Sequence, residues 1–134
     1  NHVQMGTTLV MASIDGNTVT ITHCGDSRCY LMRGDELVYQ TIDHAGNRSG
    51  WEFVTKCFFS YKPKAAVPDI AQFEIKSGDR ILLCSDGLYK SMPPEILKAR
   101  MMDDKTPEEL LDVFVFLCEK NGDDNYTAIL AIVE

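Results

Sequence analysis

An α+β fold is predicted by the order of the segments, with strands first, then two helices, then a closing strand. Three patterns support it. Thr18-Val19-Thr20-Ile21-Thr22-His23 alternates polar and apolar residues at the period of a half-buried strand. Arg80-Ile81-Leu82-Leu83-Cys84-Ser85 is apolar toward both faces, as a central strand must be. Leu110, Leu111, Phe114, Leu117 and Cys118 recur at i, i+1, i+4, i+7 and i+8, the core-facing stripe of a helix.

The elements follow in order. Residues 7–14 are short, β-branched and apolar, and Asp15-Gly16-Asn17 ends them with strong turn chemistry. After the strand at 18–23, residues 28–33 and 36–41 flank Gly34-Asp35 as a second hairpin, so an antiparallel meander is expected. Residues 42–69 leave two readings open. Trp51, Val54, Cys57 and Phe58 have helical spacing, while a short strand through 53–59 fits as well; residues 46–50 read as loop. Pro63 and Pro68 bracket a connection, residues 71–75 alternate again, and Ser77-Gly78-Asp79 turns into the central strand. Pro93-Pro94 opens one helix, where a missing N–H is no loss. Thr106-Pro107-Glu108-Glu109 opens the next with an N-cap, a first-turn proline and early acids. Gly122 stops that helix, and residues 126–133 form a last buried strand.

Composition narrows the function. The 134 residues carry 13 Lys+Arg against 20 Asp+Glu, a net charge of −7, which argues against nucleic acid and anionic membranes as partners. No apolar run approaches the roughly 20 residues that span a bilayer, and no basic-then-apolar leader opens the chain. Residues 1–134 are expected to form one domain, and the Asn1-His2-Val3-Gln4-Met5 start reads as a piece of a longer protein. The five cysteines, Cys24, Cys29, Cys57, Cys84 and Cys118, form no C-x-x-C motif and suit buried reduced thiols in a cytoplasmic protein. Their spacing to His2, His23 and His44 matches no structural zinc pattern.

The candidate chemistry lies in three acidic turns: Gly25-Asp26-Ser27-Arg28, Ser85-Asp86-Gly87 and Gly122-Asp123-Asp124-Asn125. Each bounds an apolar strand, and carboxylates converging at one sheet edge make a hard oxygen site suited to Mg²⁺ or Mn²⁺. The plainer alternative is turn chemistry, since Asp side chains bond nearby backbone N–H groups. Asp15-Gly16 and Gly34-Asp35 are read as turns only. Asp26 alone has a base nearby in sequence, and a partnership with Arg28 within the turn is its alternative role.

Read together, the motifs are more specific. Met5-Gly6-Thr7-Thr8-Leu9, His23-Cys24-Gly25-Asp26-Ser27-Arg28-Cys29-Tyr30-Leu31 and Thr41-Ile42-Asp43-His44 come first. Gly78-Asp79-Arg80-Ile81-Leu82-Leu83-Cys84-Ser85-Asp86-Gly87-Leu88-Tyr89 follows, and residues 124–133 close the series. In this order the chain resembles the metal-dependent Ser/Thr protein phosphatases of the protein phosphatase 2C (PPM) family, over nearly its whole length. The resemblance implies a two-sheet antiparallel β-sandwich flanked by helices on both outer faces, here incomplete at its N-terminal side. It implies a phosphoprotein substrate and hydrolysis in which water, activated by two Mg²⁺ or Mn²⁺ ions, attacks phosphorus in line. Asp86 and Asp124 resemble carboxylates of the core metal cluster, and Asp26 resembles a residue that holds a third ion. Asp123 is a neighbour that adds negative charge, and Gly87 lets the backbone approach the metal shell. His44 belongs to the T-x-D-H segment and differs from the family's proposed acid histidine, which lies in an earlier motif.

Two departures bear on activity. The family's Asp-Gly-x-Gly-Gly segment, with its bridging Asp, and its phosphate-gripping Arg have no counterpart before Met5. The chain alone is therefore expected to be inactive, with sheet edges exposed to self-association. The flap after His44 is shorter than is usual in the family, with Lys56 near the expected arginine. The main alternative is a pseudophosphatase that keeps the fold as a binding or regulatory module; the other is an α+β domain whose acidic turns are structural only.

Overall fold

The computed structural model describes residues 4–61, 64 and 66–134. Of the two prolines expected to bracket a connection, Pro63 lies outside the described residues. In chain order the strands are β1 (Gly6–Thr7), β2 (Leu9–Asp15), β3 (Thr18–Cys24), β4 (Arg28–Arg33), β5 (Glu36–Gln40), β6 (Ala45–Arg48), β7 (Trp51–Val54), β8 (Phe58–Phe59), β9 (Asp69–Glu74), β10 (Arg80–Cys84) and β11 (Ala128–Ile132). Helices α1 (Asp86–Tyr89), α2 (Pro94–Met102) and α3 (Pro107–Asn121) lie between the last two strands.

Two antiparallel sheets form the body, one ordered β11-β10-β4-β5 and the other β2-β3-β9. The alternation within β4 and β10 explains the layering. Cys29, Leu31 and Ile81 face Val19 and Ile21 of the smaller sheet, while Tyr30, Met32, Leu82 and Cys84 face the helices. A strand that is apolar on both sides must be covered on both sides, and only a central sheet between two layers satisfies that. β10 takes the central place expected of it, paired to β4 and β11.

The expected meander is corrected. β2–β3 and β4–β5 are hairpins, but they belong to different sheets, and residues 25–27 carry the chain across. β4 is buried at Cys29, Tyr30, Leu31 and Met32, so it pairs with the equally apolar β10 instead of β3. In the open region no helix forms, and the expected single strand through 53–59 is corrected: it is split between β7, which ends at Val54, and β8, with a bend at 55–57. β6 and β7 form a hairpin whose turn residues Ser49 and Gly50 both have positive φ, the backbone of a tight primed turn. The helical spacing there marked no common buried face, since Cys57 is buried while Trp51 is 79% exposed and Phe58 is exposed too. Residues 46–48, read as loop, belong to β6.

The helices begin as anticipated. The Thr106 side chain accepts a hydrogen bond from Glu109 N at 3.2 Å, and Leu110, Phe114 and Cys118 point into the core. The four-residue helix α1 has no counterpart in the sequence reading. The described helices all pack on the β11-β10-β4-β5 sheet. The outer face of the smaller sheet instead leaves Met11 and Ile70 exposed, so among the described residues helices cover one outer face, not both. β11 alternates between half-buried and exposed positions at a sheet edge and is not buried throughout.

Phe114 is fully enclosed between α3 and the central sheet, whereas the adjacent Val115 is exposed. Phe114→Ala is expected to lower unfolding free energy by about 3–5 kcal/mol, and Val115→Ala by less than about 0.5 kcal/mol, both measured by urea denaturation.

Candidate functional site

Sheet register brings the three acidic turns to one edge. β10 ends at Cys84, which lies opposite Ala128 at the start of β11 and Arg28 at the start of β4. The residues just beyond these ends are Asp86, Asp124 and Asp26. Ser85 locks two of the turns together, its N–H donating to Thr127 O at 3.1 Å and its hydroxyl accepting from Thr127 N at 2.9 Å. Gly87 has a different close partner from the one expected of it. A Cβ there would lie 2.0 Å from Asn125 O, so only glycine lets α1 meet the 122–125 turn.

Asp86, Asp123 and Asp124 line a cavity of about 270 Å³ together with Lys90 and Ser91. Asp26 lies alongside Asp86. Burial and then the Asp86 charge push its carboxyl pKa upward, with Lys90 opposing. Asp124 Oδ1 also accepts from Asn125 N at 2.8 Å, the expected turn chemistry. Lys90 Nζ lies 3.4 Å from Asp86 and 3.0 Å from Glu52 on β7, tying the β6–β7 hairpin to the site.

Arg28 does not partner Asp26. Its guanidinium grips Asp43 through two bonds of 2.9 and 2.7 Å, donates to the Tyr30 hydroxyl at 3.0 Å, and lies 3.5 Å from the Tyr89 ring centroid. Tyr89 in turn donates to Asp26 O at 2.7 Å. The turn alternative for Asp26 through Arg28 is therefore corrected, because Asp43 satisfies the fork geometry first. Tyr89, Lys90 and Glu52 were not picked out from sequence, since their roles depend on contacts between distant segments.

Sequence reasoning also missed a second cluster. His23, His44 and Asp69 place one nitrogen or oxygen each within 4.8 Å of one another. The two rings stack at 4.4 Å with 12° between their planes. An imidazole binds a metal in its own plane, so stacked rings cannot aim at one ion. His44 is committed as well: Nδ1 accepts from Gly25 N at 3.0 Å, which leaves the proton on Nε2 for Asp69 Oδ2 at 2.7 Å. The period-two placement of His23 on the inner face of β3 was the available signal.

The carboxylate edge, by contrast, fits hard divalent cations. Asp86, Asp123 and Asp124 bring oxygen donors to its cavity, whose described lining holds no thiol, and Asp26 is raised by burial and then by the Asp86 charge. All five cysteines are buried and unpaired, and burial pushes Cys29 and Cys84 up to about 12, which leaves them poor nucleophiles. A cleft of about 480 Å³ between β4, β5 and α2 is mainly apolar and holds one acid, Glu95.

The family described as Protein phosphatase 2C matches residues 1–50. The serine/threonine protein phosphatase PstP of Mycobacterium tuberculosis is 28% identical over 145 residues, covering 96% of this chain and 28% of PstP. The serine/threonine phosphatase stp of Listeria innocua is 30% identical over 143 residues, covering 94% of this chain and 56% of stp. The solved structure of the M. tuberculosis phosphatase PstP/Ppp superposes with a TM-score of 0.79 at 28% identity, over 96% of this chain and 60% of that one. The chain thus spans less than two thirds of each of these proteins.

The raised Asp26 carboxyl has a consequence for stability without metal. An acid whose folded pKa is raised destabilises the fold above that pKa and has no such effect below its unfolded value. Asp26→Asn is expected to raise the melting temperature of the metal-free chain at pH 7. The gain should shrink as pH falls through the folded pKa toward the unfolded carboxyl value of about 3.9, as read by thermal denaturation across pH.

Proposed function

We propose, from the match to the protein phosphatase 2C family and to relatives of that kind, that this chain is the C-terminal portion of a Mg²⁺- or Mn²⁺-dependent phosphoserine/phosphothreonine protein phosphatase. The observation that carries the reading is the convergence of Asp86 and Asp124 on one cavity, with Asp26 beside Asp86. When bound, two such ions lower the pKa of water and offset charge on the phosphoryl oxygens. In this proposal Asp86 and Asp124 hold the core pair, Asp26 holds a third ion, and Asp123 adds negative charge nearby. The reaction is in-line attack of water on phosphorus with departure of the Ser or Thr oxygen. No covalent enzyme intermediate is needed, which suits a chain whose thiols are buried.

The substrate is proposed to be a phosphoprotein, by likeness to relatives named as Ser/Thr phosphatases. The unpaired thiols support a reducing, cytoplasmic setting. Among the described residues no helix is long and apolar enough to cross a membrane. Self-association through sheet edges is supported by β2 and β11, edge strands that carry exposed Met11 and Ile129.

The chain alone is proposed to be inactive, since its sequence contains no Asp-Gly-x-Gly-Gly to supply the bridging carboxylate. A second reading, a pseudophosphatase, is favoured by Lys90, which already offers Asp86 an ammonium at 3.4 Å. One assay separates the two. The chain alone should show no Mn²⁺-stimulated hydrolysis of p-nitrophenyl phosphate. A longer protein carrying it behind an Asp-Gly-x-Gly-Gly segment should hydrolyse the ester and lose at least about a hundredfold in kcat on Asp86→Asn or Asp124→Asn. If that longer protein folds but stays inactive, the pseudophosphatase reading replaces the first.

A further inference from the structure

The Gly25–Asp26 turn is gripped on both sides of Gly25 by one residue. His44 N donates to Gly25 O at 3.0 Å, and Gly25 N donates to His44 Nδ1 at 3.0 Å. A nitrogen that accepts from a backbone N–H carries no proton, so the proton of the neutral ring is on Nε2. That proton meets Asp69 Oδ2 at 2.7 Å. The His44 ring is buried, 8% exposed, while the Asp69 side chain is 55% exposed at the start of β9. His23 lies flat against the ring and donates through Nε2 to Ile42 O at 2.8 Å, two residues before His44. Among the described residues the buried His23 Nδ1 has no hydrogen-bond partner and makes no competing bond to His44.

We propose that His44 and Asp69 are positioning residues for the Gly25–Asp26 turn, with Asp69 selecting the His44 tautomer that presents Nδ1 to the Gly25 amide. The role rests on reading Asp26 as a metal ligand. The brace acts on the backbone at Gly25, while the Tyr89 hydroxyl holds Asp26 O at 2.7 Å, so the backbone on both sides of Asp26 is fixed by contacts that leave its side chain out. Gly25 needs such a brace. Its φ of +118° is held against Thr8, which a Cβ would meet at 2.4 Å, so packing blocks other residues while hydrogen bonds fix the turn. The hydrogen bond from His44 also holds the Asp69 carboxyl below the usual carboxylate range, which keeps it an acceptor.

The test uses nuclear magnetic resonance on the chain itself and needs no metal. Long-range ¹H–¹⁵N correlations should show His44 protonated at Nε2 and bare at Nδ1, and Asp69→Leu should populate both tautomers. Two substitutions at His44 separate positioning from general packing. Asn places an amide oxygen where Nδ1 stood and keeps the Gly25 contact, whereas Gln reaches Asp69 and abandons Gly25. The Gly25 amide should therefore exchange about tenfold faster in His44→Gln than in His44→Asn, compared at matched global stability. A proton on Nδ1 in the native chain, or equal Gly25 exchange in the two variants, overturns the proposal. Mn²⁺ binding at Asp86 and Asp124 is read separately, and its failure bears on the phosphatase reading without altering the exchange result.

Discussion

The crossing from β3 to β4 at Gly25 is the constraint from which the rest of the arrangement follows. The chain must leave one sheet and enter the other within three residues, with Thr8 packed where a Cβ would stand. Only glycine tolerates that backbone and that contact together. Once the crossing is made, β4 enters the central sheet beside β10, both faces of that sheet fill, and Asp26 is left at its edge. A bulkier residue at Gly25 would disturb the sandwich and the candidate metal site at once.

Charge is distributed around the crossing so that structural and functional carboxylates stay separate. Asp43 is consumed by Arg28, and Asp79, which is fully buried, accepts two bonds of 2.9 Å from Arg33 and one of 2.8 Å from Lys76 N. The Arg33 hydrogen bonds hold the Asp79 carboxyl below its usual range, so its stabilisation is present above the unfolded value and lost as pH falls through the folded one. Asp26 is shifted the other way, by desolvation and then the Asp86 charge, which Lys90 opposes without reversing. Structural acids here have dedicated cations. At the strand ends Lys90 is divided between Asp86 and Glu52.

Much of this was legible in the sequence, where the physics is local. Period-two alternation marked β3 and β9, the doubly apolar run marked β10, and the Thr106 cap with its helical stripe marked α3. The three acidic turns were legible too, because they sit at the ends of those strands. What was not legible depended on pairing between distant segments. The sheet switch between β3 and β4 follows from β10, some fifty residues downstream in the chain, becoming the partner of β4. Residues 51–59 spell a helix period and a short strand about equally well, and the positive φ at Ser49 and Gly50, read as loop, folds 45–54 into a hairpin instead. Arg28 chose Asp43 over Asp26 because a planar fork favours a carboxylate it can meet with two bonds. The brace from Asp69 through His44 joins residues 25 positions apart, a distance at which spacing carries no signal.

The central claim is that the strand-end carboxylates, and not the histidine cluster or the scattered surface acids, form the cation site. Paramagnetic line broadening by substoichiometric Mn²⁺ tests it most directly, residue by residue. The account predicts that signals of Asp86 and Asp124 disappear together, followed by those of Asp26, while Asp15 and Asp35 stay sharp. Broadening centred on His23 and Asp69, or spread evenly over the exposed acids, would contradict it.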